Sequence, residues 1–175
     1  TEMRVGGVTG ARVRPTRPVG LGRVLYLHGG GYVVGSTVSH RGLMATVAHH
    51  AGVEVIGIDY RLAPEHPFPA APDDCEAVAR WLAASPADVP VIVQAPIYPV
   101  ASDTSQHSSF AMFTEDFLLT GAAMAWFNDQ YGGDAGDPRH TPMVGDCTNT
   151  PPTVVCTAGL DPLRDSGREY AAHLV

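Results

Sequence analysis

Arg23-Val24-Leu25-Tyr26-Leu27-His28-Gly29-Gly30-Gly31 is the stretch whose reading decides the fold. The run Arg23 to Leu27 is apolar and rich in strand formers, so it reads as a buried strand, and three glycines in a row cannot continue one. Side-chain-free residues behind a strand let the backbone turn sharply and present bare N–H groups. Such groups are the donors needed by the oxyanion of a tetrahedral intermediate in acyl transfer. That chemistry also needs a nucleophile, and no G-x-S-x-G elbow occurs anywhere in the 175 residues.

Outward from this stretch, short β-branched runs alternate with longer helical segments, the pattern of an α/β fold with a mostly parallel sheet flanked by helices. Met3 to Val8 and Ala11 to Arg17 read as two short strands joined at Thr9-Gly10. Thr37 or Ser39 is expected to cap a helix running to Ala51, with Gly52 ending it, and Val53 to Ile58 is the next strand. Beyond the proline-rich loop Leu62 to Pro72, a helix over Asp73 to Ala84 would place Cys75, Val78, Ala79 and Leu82 on one face. Asp73, Asp74 and Glu76 would then sit in its first turn, where the helix dipole favours them.

Only Ser85–Pro90, six residues, separate that helix from the strand-like run Val91 to Tyr98. Ser102 to Thr120 is polar and irregular, Gly121 to Tyr131 reads as a helix, and Gly132 to Pro152 as a loop. Thr153 to Ala158 is the last strand. Pro162 opens a final helix at a position that proline tolerates, with the chain stopping inside it. Because a right-handed crossover after Val53 to Ile58 must return to a parallel neighbour, Val91 to Tyr98 is expected directly beside Arg23 to Leu27.

Composition sets the class. At 175 residues the chain suits a single domain, 1–175, able to bury roughly 70% of its unfolded surface. It is 45% hydrophobic without an uninterrupted apolar run near the ~20 residues of a membrane helix, and it shows no signal peptide, so a soluble chain with no membrane span is expected. The 11 basic residues, all arginine, against 18 acidic ones leave a net charge of −7, with no basic run to track a phosphate backbone. That argues against nucleic acid as a partner. Cys75, Cys147 and Cys156 lack C-x-x-C spacing and make an odd set, which points away from a disulfide framework and toward a reducing, cytoplasmic setting.

Taken together, His28 to Gly31, Asp59-Tyr60-Arg61-Leu62-Ala63-Pro64-Glu65-His66, Tyr98-Pro99 and Asp161-Pro162-Leu163-Arg164-Asp165 resemble the hormone-sensitive-lipase-like family of α/β-hydrolase carboxylesterases and lipases. The match spans nearly the whole chain. The resemblance implies an α/β-hydrolase fold and a serine carboxylic-ester hydrolase acting on short-to-medium acyl esters. Gly29 and Gly30 would donate to the oxyanion, and Asp161 would be the triad acid that orients a histidine. His28, Gly31, Tyr60, Arg61 and Glu65 would support the site, Arg61 and Glu65 being available for buried pairing. The implied partner is a small-molecule ester, with no metal and no cofactor, and an oligomer is compatible with the pattern.

The departures matter as much. The family places G-D-S-A-G-G between a helix like Asp73 to Ala84 and a strand like Val91 to Tyr98, where this chain has six residues. The family histidine lies on a loop beyond a further strand, and the sequence stops at Val175 before it. The nucleophilic serine and the catalytic histidine therefore have no matching residue here. The N-terminal cap helices of many relatives have no counterpart either, so the expected domain is an incomplete one. Two alternatives follow: a degenerate hydrolase acting as a binding module, or a non-functional remnant.

Each candidate has a plainer reading. Gly29 to Gly31 could be a tight turn, and Asp161 a helix cap ahead of Pro162. His28 reads as a residue that orients the loop rather than a base, and Ser36 as part of the loop beyond. His40, His49 and His50 do not make a metal set, because adjacent helical residues diverge by about 100°. His107-Ser108-Ser109 is too local for triad geometry.

Overall fold

The computed structural model describes residues 1–20, 22–84 and 92–175. The chain divides into two compact units, Thr1–Pro90 and Val91–Val175.

The first unit carries a four-stranded mixed sheet. Its strands are β1 (Glu2–Val5), β2 (Val8–Val13), β3 (Arg23–Leu27) and β4 (Glu54–Ile58), in the order β1-β2-β4-β3. β1 and β2 form a hairpin with Val5 opposite Val8, β2 is antiparallel to β4, and β3 is parallel to β4 with Arg23 opposite Glu54. The hairpin turns at Gly6-Gly7, not at Thr9-Gly10. Both turn residues take positive φ, 55° and 88°, which a two-residue turn matching strand twist requires and which threonine resists. Thr9 and Gly10 lie inside β2 instead.

β4 is buried along both faces from Val55 to Ile58, as a central strand of a parallel pair should be. One face is covered by α1 (Arg41–Ala51), whose Met44 and Ala48 pack with Val55 against Val13, Val24, Tyr26 and Val47. Each such apolar side chain taken from water contributes about 1.5–3 kcal/mol. Gly52 ends α1 in the left-handed region at φ 64°, its N–H donating to the Ala48 carbonyl over 3.0 Å. Neither Thr37 nor Ser39 caps α1. Its N-cap is His40 without a side-chain bond, because Thr37 is buried against Asp59 and Ser39 bonds Ser36 and His40. The second helix, α2 (Ala70–Ala83), begins three residues before the expected Asp73. Ala71 and Val78 are its buried residues, with Cys75, Ala79 and Leu82 half-buried on the expected side.

In the second unit the expected strands Val91 to Tyr98 and Thr153 to Ala158 appear as two parallel bridges, Gln94 with Thr153 and Ile97 with Cys156. Prolines explain the broken ladder: Pro96 and Pro152 have no N–H to give, and their carbonyls accept from Cys156 and Gln94. Val91 lies outside the described residues. Among the described residues β3 has β4 as its ladder partner, so the expected pairing of Val91 to Tyr98 with Arg23 to Leu27 is not among the ladders formed. The stretch expected to be irregular contains a 3-10 turn, Thr104–Gln106, and a short helix α3 (Ser108–Phe113). α4 (Gly121–Tyr131) follows as expected, its first turn held by the Thr120 hydroxyl accepting from Ala123 N–H. The last helix, α5 (Arg164–His173), starts two residues after Pro162 and ends before Val175.

Candidate active site

His28 leaves the carboxyl end of β3, and its 5% exposure makes it one of the few buried polar residues. Its ring stacks on Tyr60 with centroids 4.2 Å apart and 13° between planes, and on His40 at 5.5 Å. The Tyr60 hydroxyl donates to the His28 carbonyl over 2.6 Å. His28 Nδ1 sits 2.9 Å from the Gly29 carbonyl, which only accepts, so the proton is assigned to Nδ1. Nε2 is then a buried acceptor without a hydrogen-bond partner among the described residues. Burial pushes the imidazole pKa down, with the charge of His40 adding to that, against the Gly29 carbonyl and Asp59, which favour the protonated form. His28 is therefore a neutral wedge under the glycine loop.

The loop itself is over-determined. Its Gly30 carbonyl accepts from Val33 and Val34 N–H, a reverse turn in which Gly30 takes φ 134°, and a Cβ there would strike the Val34 carbonyl. At Gly35, φ 108°, a Cβ would stand 2.5 Å from His28 Nδ1 and 2.6 Å from the Gly29 carbonyl, so only glycine lets the returning chain lie on the imidazole. Asp59, just past β4, clamps the far side: its carboxylate accepts from Thr37 N–H at 2.6 Å and Thr37 Oγ1 at 3.0 Å. Ala63 N–H donates to the Tyr32 carbonyl. The segment after β4 thus braces the segment after β3 from three points. Within this frame a Cβ at Gly29 would meet nothing within 4 Å, and the N–H groups of Gly29, Gly30 and Gly31 make no hydrogen bond among the described residues. Open space beside unspent donors is what an incoming anion requires.

Arg61 and Glu65 do not pair. Both are exposed; Arg61 instead engages Asp74 of α2 through Nε and Nη2 at 2.9–3.1 Å and through its own N–H at 2.9 Å. A fork-to-carboxylate bond with a backbone N–H added satisfies Asp74 better than a monodentate glutamate contact would satisfy Arg61.

Asp161 belongs to the second unit. Its Oδ1 accepts from Leu163 N–H at 2.9 Å and its carbonyl from Arg164 N–H, a turn just ahead of α5 rather than a cap on the helix. One carboxylate oxygen makes no bond among the described residues. Asp165 is engaged instead. Arg164, at 2.9 Å, and the Ser109 N–H, at 2.8 Å, hold its pKa down to about 2. Ser109 is fully buried, its hydroxyl donating to the Pro162 carbonyl.

Several contacts had no local signal in the sequence. The Thr37–Asp59 clamp and Gly35 are two. A third is the cluster of Ser102, His107, Ser166 and Glu169, where His107 Nε2 lies 3.0 Å from Ser102 Oγ and 3.4 Å from Glu169. Hydroxyl and carboxylate share one imidazole nitrogen there, so the acid does not stand behind the base as a triad demands. His49 and His50 are exposed, and no group of three metal-ligating side chains occurs among the described residues. Among those residues no helix is long and apolar enough to cross a membrane.

Comparison with known proteins places the chain in a family. The family pattern described as alpha/beta hydrolase fold matches residues 24–92 and 83–175. The chain therefore belongs to the α/β hydrolases. Within them it has the hormone-sensitive-lipase-like character expected from its motifs. It is 35% identical to the ethyl acetate hydrolase of Pseudomonas putida, over 86% of this chain and 59% of that protein. A Pyrobaculum calidifontis esterase superposes with a TM-score of 0.89 at 30% identity, covering 99% of this chain and 70% of that one. A hormone-sensitive lipase from a metagenome library gives 0.89 at 26%, covering 99% and 69%. The chain thus spans about three-fifths of the P. putida relative. The two stretches of the family match change over between residues 83 and 92. The match to the P. putida protein runs over 188 positions while using 86% of 175 residues, about 150, so roughly 40 positions face no residue here.

Proposed function

We propose that the protein to which this chain belongs is a serine carboxylic-ester hydrolase for short-to-medium acyl esters. Residues 1–175 then form one incomplete α/β-hydrolase domain, and the activity resides in the reducing cytoplasm. Gly29 and Gly30 N–H hold the oxyanion, and Asp161 orients a catalytic histidine. His28, Gly31, Tyr60 and Asp59 keep the donors in place, while Arg61 ties the bracing segment to α2. Serine and histidine are supplied by residues that this sequence does not contain at the family positions. The observation that carries the reading is the run of unspent N–H groups from Gly29 to Gly31 on a loop braced from three points. Preorganised donors of this kind are worth about 2.7–4 kcal/mol each to the transition state.

The test is repair. The stretch that the P. putida relative carries between its counterparts of Ala84 and Ile92 would be inserted there, and the part of that relative that follows the counterpart of Val175 added after that residue. p-Nitrophenyl acetate hydrolysis that a fluorophosphonate abolishes is expected. The 175-residue chain itself is expected to show neither labelling nor turnover. Losing the nucleophile of such an enzyme costs on the order of 10⁶ in kcat, and an oxyanion hole alone retains about 10³–10⁴ over water. Labelling of the unrepaired chain, or a repaired chain that folds and stays inert, would overturn the proposal.

A further inference from the structure

The opposite end of β3 from the glycine loop carries a second constellation. Arg23 and Glu54 are direct partners in the parallel β3–β4 ladder. In the antiparallel β2–β4 ladder Val13 faces Val55, so the next residue outward, Arg14, stands across from Glu54. Arg12 faces Ile56, two residues along, and the two-residue period of a strand puts it on the same side as Arg14. The result is one carboxylate with three guanidiniums around it. Glu54 lies 3.3 Å from Arg12 Nε, 3.3 Å from Arg14 Nε and 3.4 Å from Arg23 Nε.

A structural ion pair needs one cation. Here three guanidiniums surround one carboxylate on a chain whose net charge is −7, with Glu2 a further acid beside the adjoining space. The three arginines meet Glu54 through Nε, and none of their six Nη nitrogens makes a hydrogen bond among the described residues. Arg12 Nε is itself buried without a hydrogen-bond partner among the described residues. A concave space of about 330 Å³ opens beside Arg12 and Arg14, with Thr1, Glu2 and Met3 also lining it. The unused planar forks of Arg12 and Arg14 at this hollow match the tetrahedral oxygens of a phosphoryl group, to which arginine binds bidentately; Arg23 stands across Glu54 from them and does not line it.

We propose that Arg12 and Arg14, with Arg23 behind them across Glu54, form a binding site for a multiply charged oxyanion, a phosphate or the phosphoryl group of a small molecule. Glu54 holds the three forks together when the site is empty and opposes the ligand by its own charge. The site stands about 15 Å from the glycine loop, the length of a five-residue strand, and is independent of the hydrolase reading.

Inorganic pyrophosphate is the probe, titrated calorimetrically into the 175-residue chain at low salt. Saturable one-to-one binding is expected, weakened at least about tenfold by Arg14→Ala with Arg23→Ala and strengthened several-fold by Glu54→Gln. The strengthening separates the proposal from a purely structural ion pair, whose loss would only loosen the sheet end. Circular-dichroism melting checks each variant. If the double or Glu54 variant fails to fold, Arg14→Gln decides alone, because that side chain is 70% exposed. Four results overturn the site: no saturable binding, binding indifferent to the arginine changes, binding weakened by Glu54→Gln, or capture by phosphatidylglycerol vesicles without binding of free pyrophosphate.

Discussion

The Tyr60 hydroxyl reaches the carbonyl of His28 at 2.6 Å while its ring lies on the imidazole of the same residue at 4.2 Å. One side chain thereby fixes both the backbone entering the glycine loop and the ring beneath it. Tyr60→Phe keeps the stacking and removes the donor, leaving a buried carbonyl unsatisfied, which costs about 1–3 kcal/mol. Urea unfolding should show a lowered midpoint with unchanged slope. An unchanged midpoint would mean that the hydroxyl contributes nothing to holding the loop.

The buried, neutral state of His28 makes stability depend on pH. Its pKa is lowered on folding from an ordinary value near 6.5, so the unfolded chain binds more protons in that region. Stability from this group is therefore present above about pH 6.5 and lost as pH falls below it. His28→Gln, neutral throughout, should flatten the fall in unfolding free energy between about pH 6.5 and 5. Parallel pH curves for the two proteins would sink the assignment.

Much of the frame was legible because it rests on local chemistry. Gly52 stops α1, α4 runs from Gly121 to Tyr131, and the apolar runs of β3 and β4 lie where period and composition put them. Failures came where a distant partner decided. Thr37 has the chemistry of a helix cap, but Asp59, 22 residues away, takes both its donors. Arg61 has a nearby acid in Glu65, yet the Asp74 carboxylate accepts both its guanidinium fork and its backbone N–H. The hairpin was misplaced because two glycine-bearing dipeptides were available, and only consecutive positive φ values single out Gly6-Gly7. In the second unit, prolines reduced two strand-like runs to isolated bridges, although their hydropathy is that of strands.

Two glycines of the loop should respond oppositely to alanine. At Gly35 a methyl would collide with the His28 ring and the Gly29 carbonyl at an unfavourable φ, costing on the order of 1–3 kcal/mol or displacing the loop. At Gly29 the methyl enters open space and φ is not positive, so the fold should tolerate it, while the repaired enzyme loses activity by obstruction of the oxyanion position. Thermal melts compare the two, and a Gly29→Ala variant less stable than Gly35→Ala would contradict this account of the loop.

Asp161 and Asp165 are two acids of one motif with different partners. Asp165 is held to a pKa of about 2, first by Arg164 and then by the Ser109 N–H, against an ordinary carboxylate near 4. Its stabilisation is thus complete above about pH 4 and drains away as pH falls toward 2; partial exposure and solvent screening keep it small. Asp165→Asn should lower the melting temperature at pH 7 and flatten the acid limb of the stability curve. Asp161→Asn retains an acceptor for the Leu163 N–H, so the fold should hardly register it. In the repaired enzyme the order reverses: an asparagine at 161 can no longer hold imidazole in the required tautomer, and kcat should fall by about 10⁴, against a much smaller loss at 165. Equal kinetic losses at the two positions would show that the acid of the triad has been misplaced.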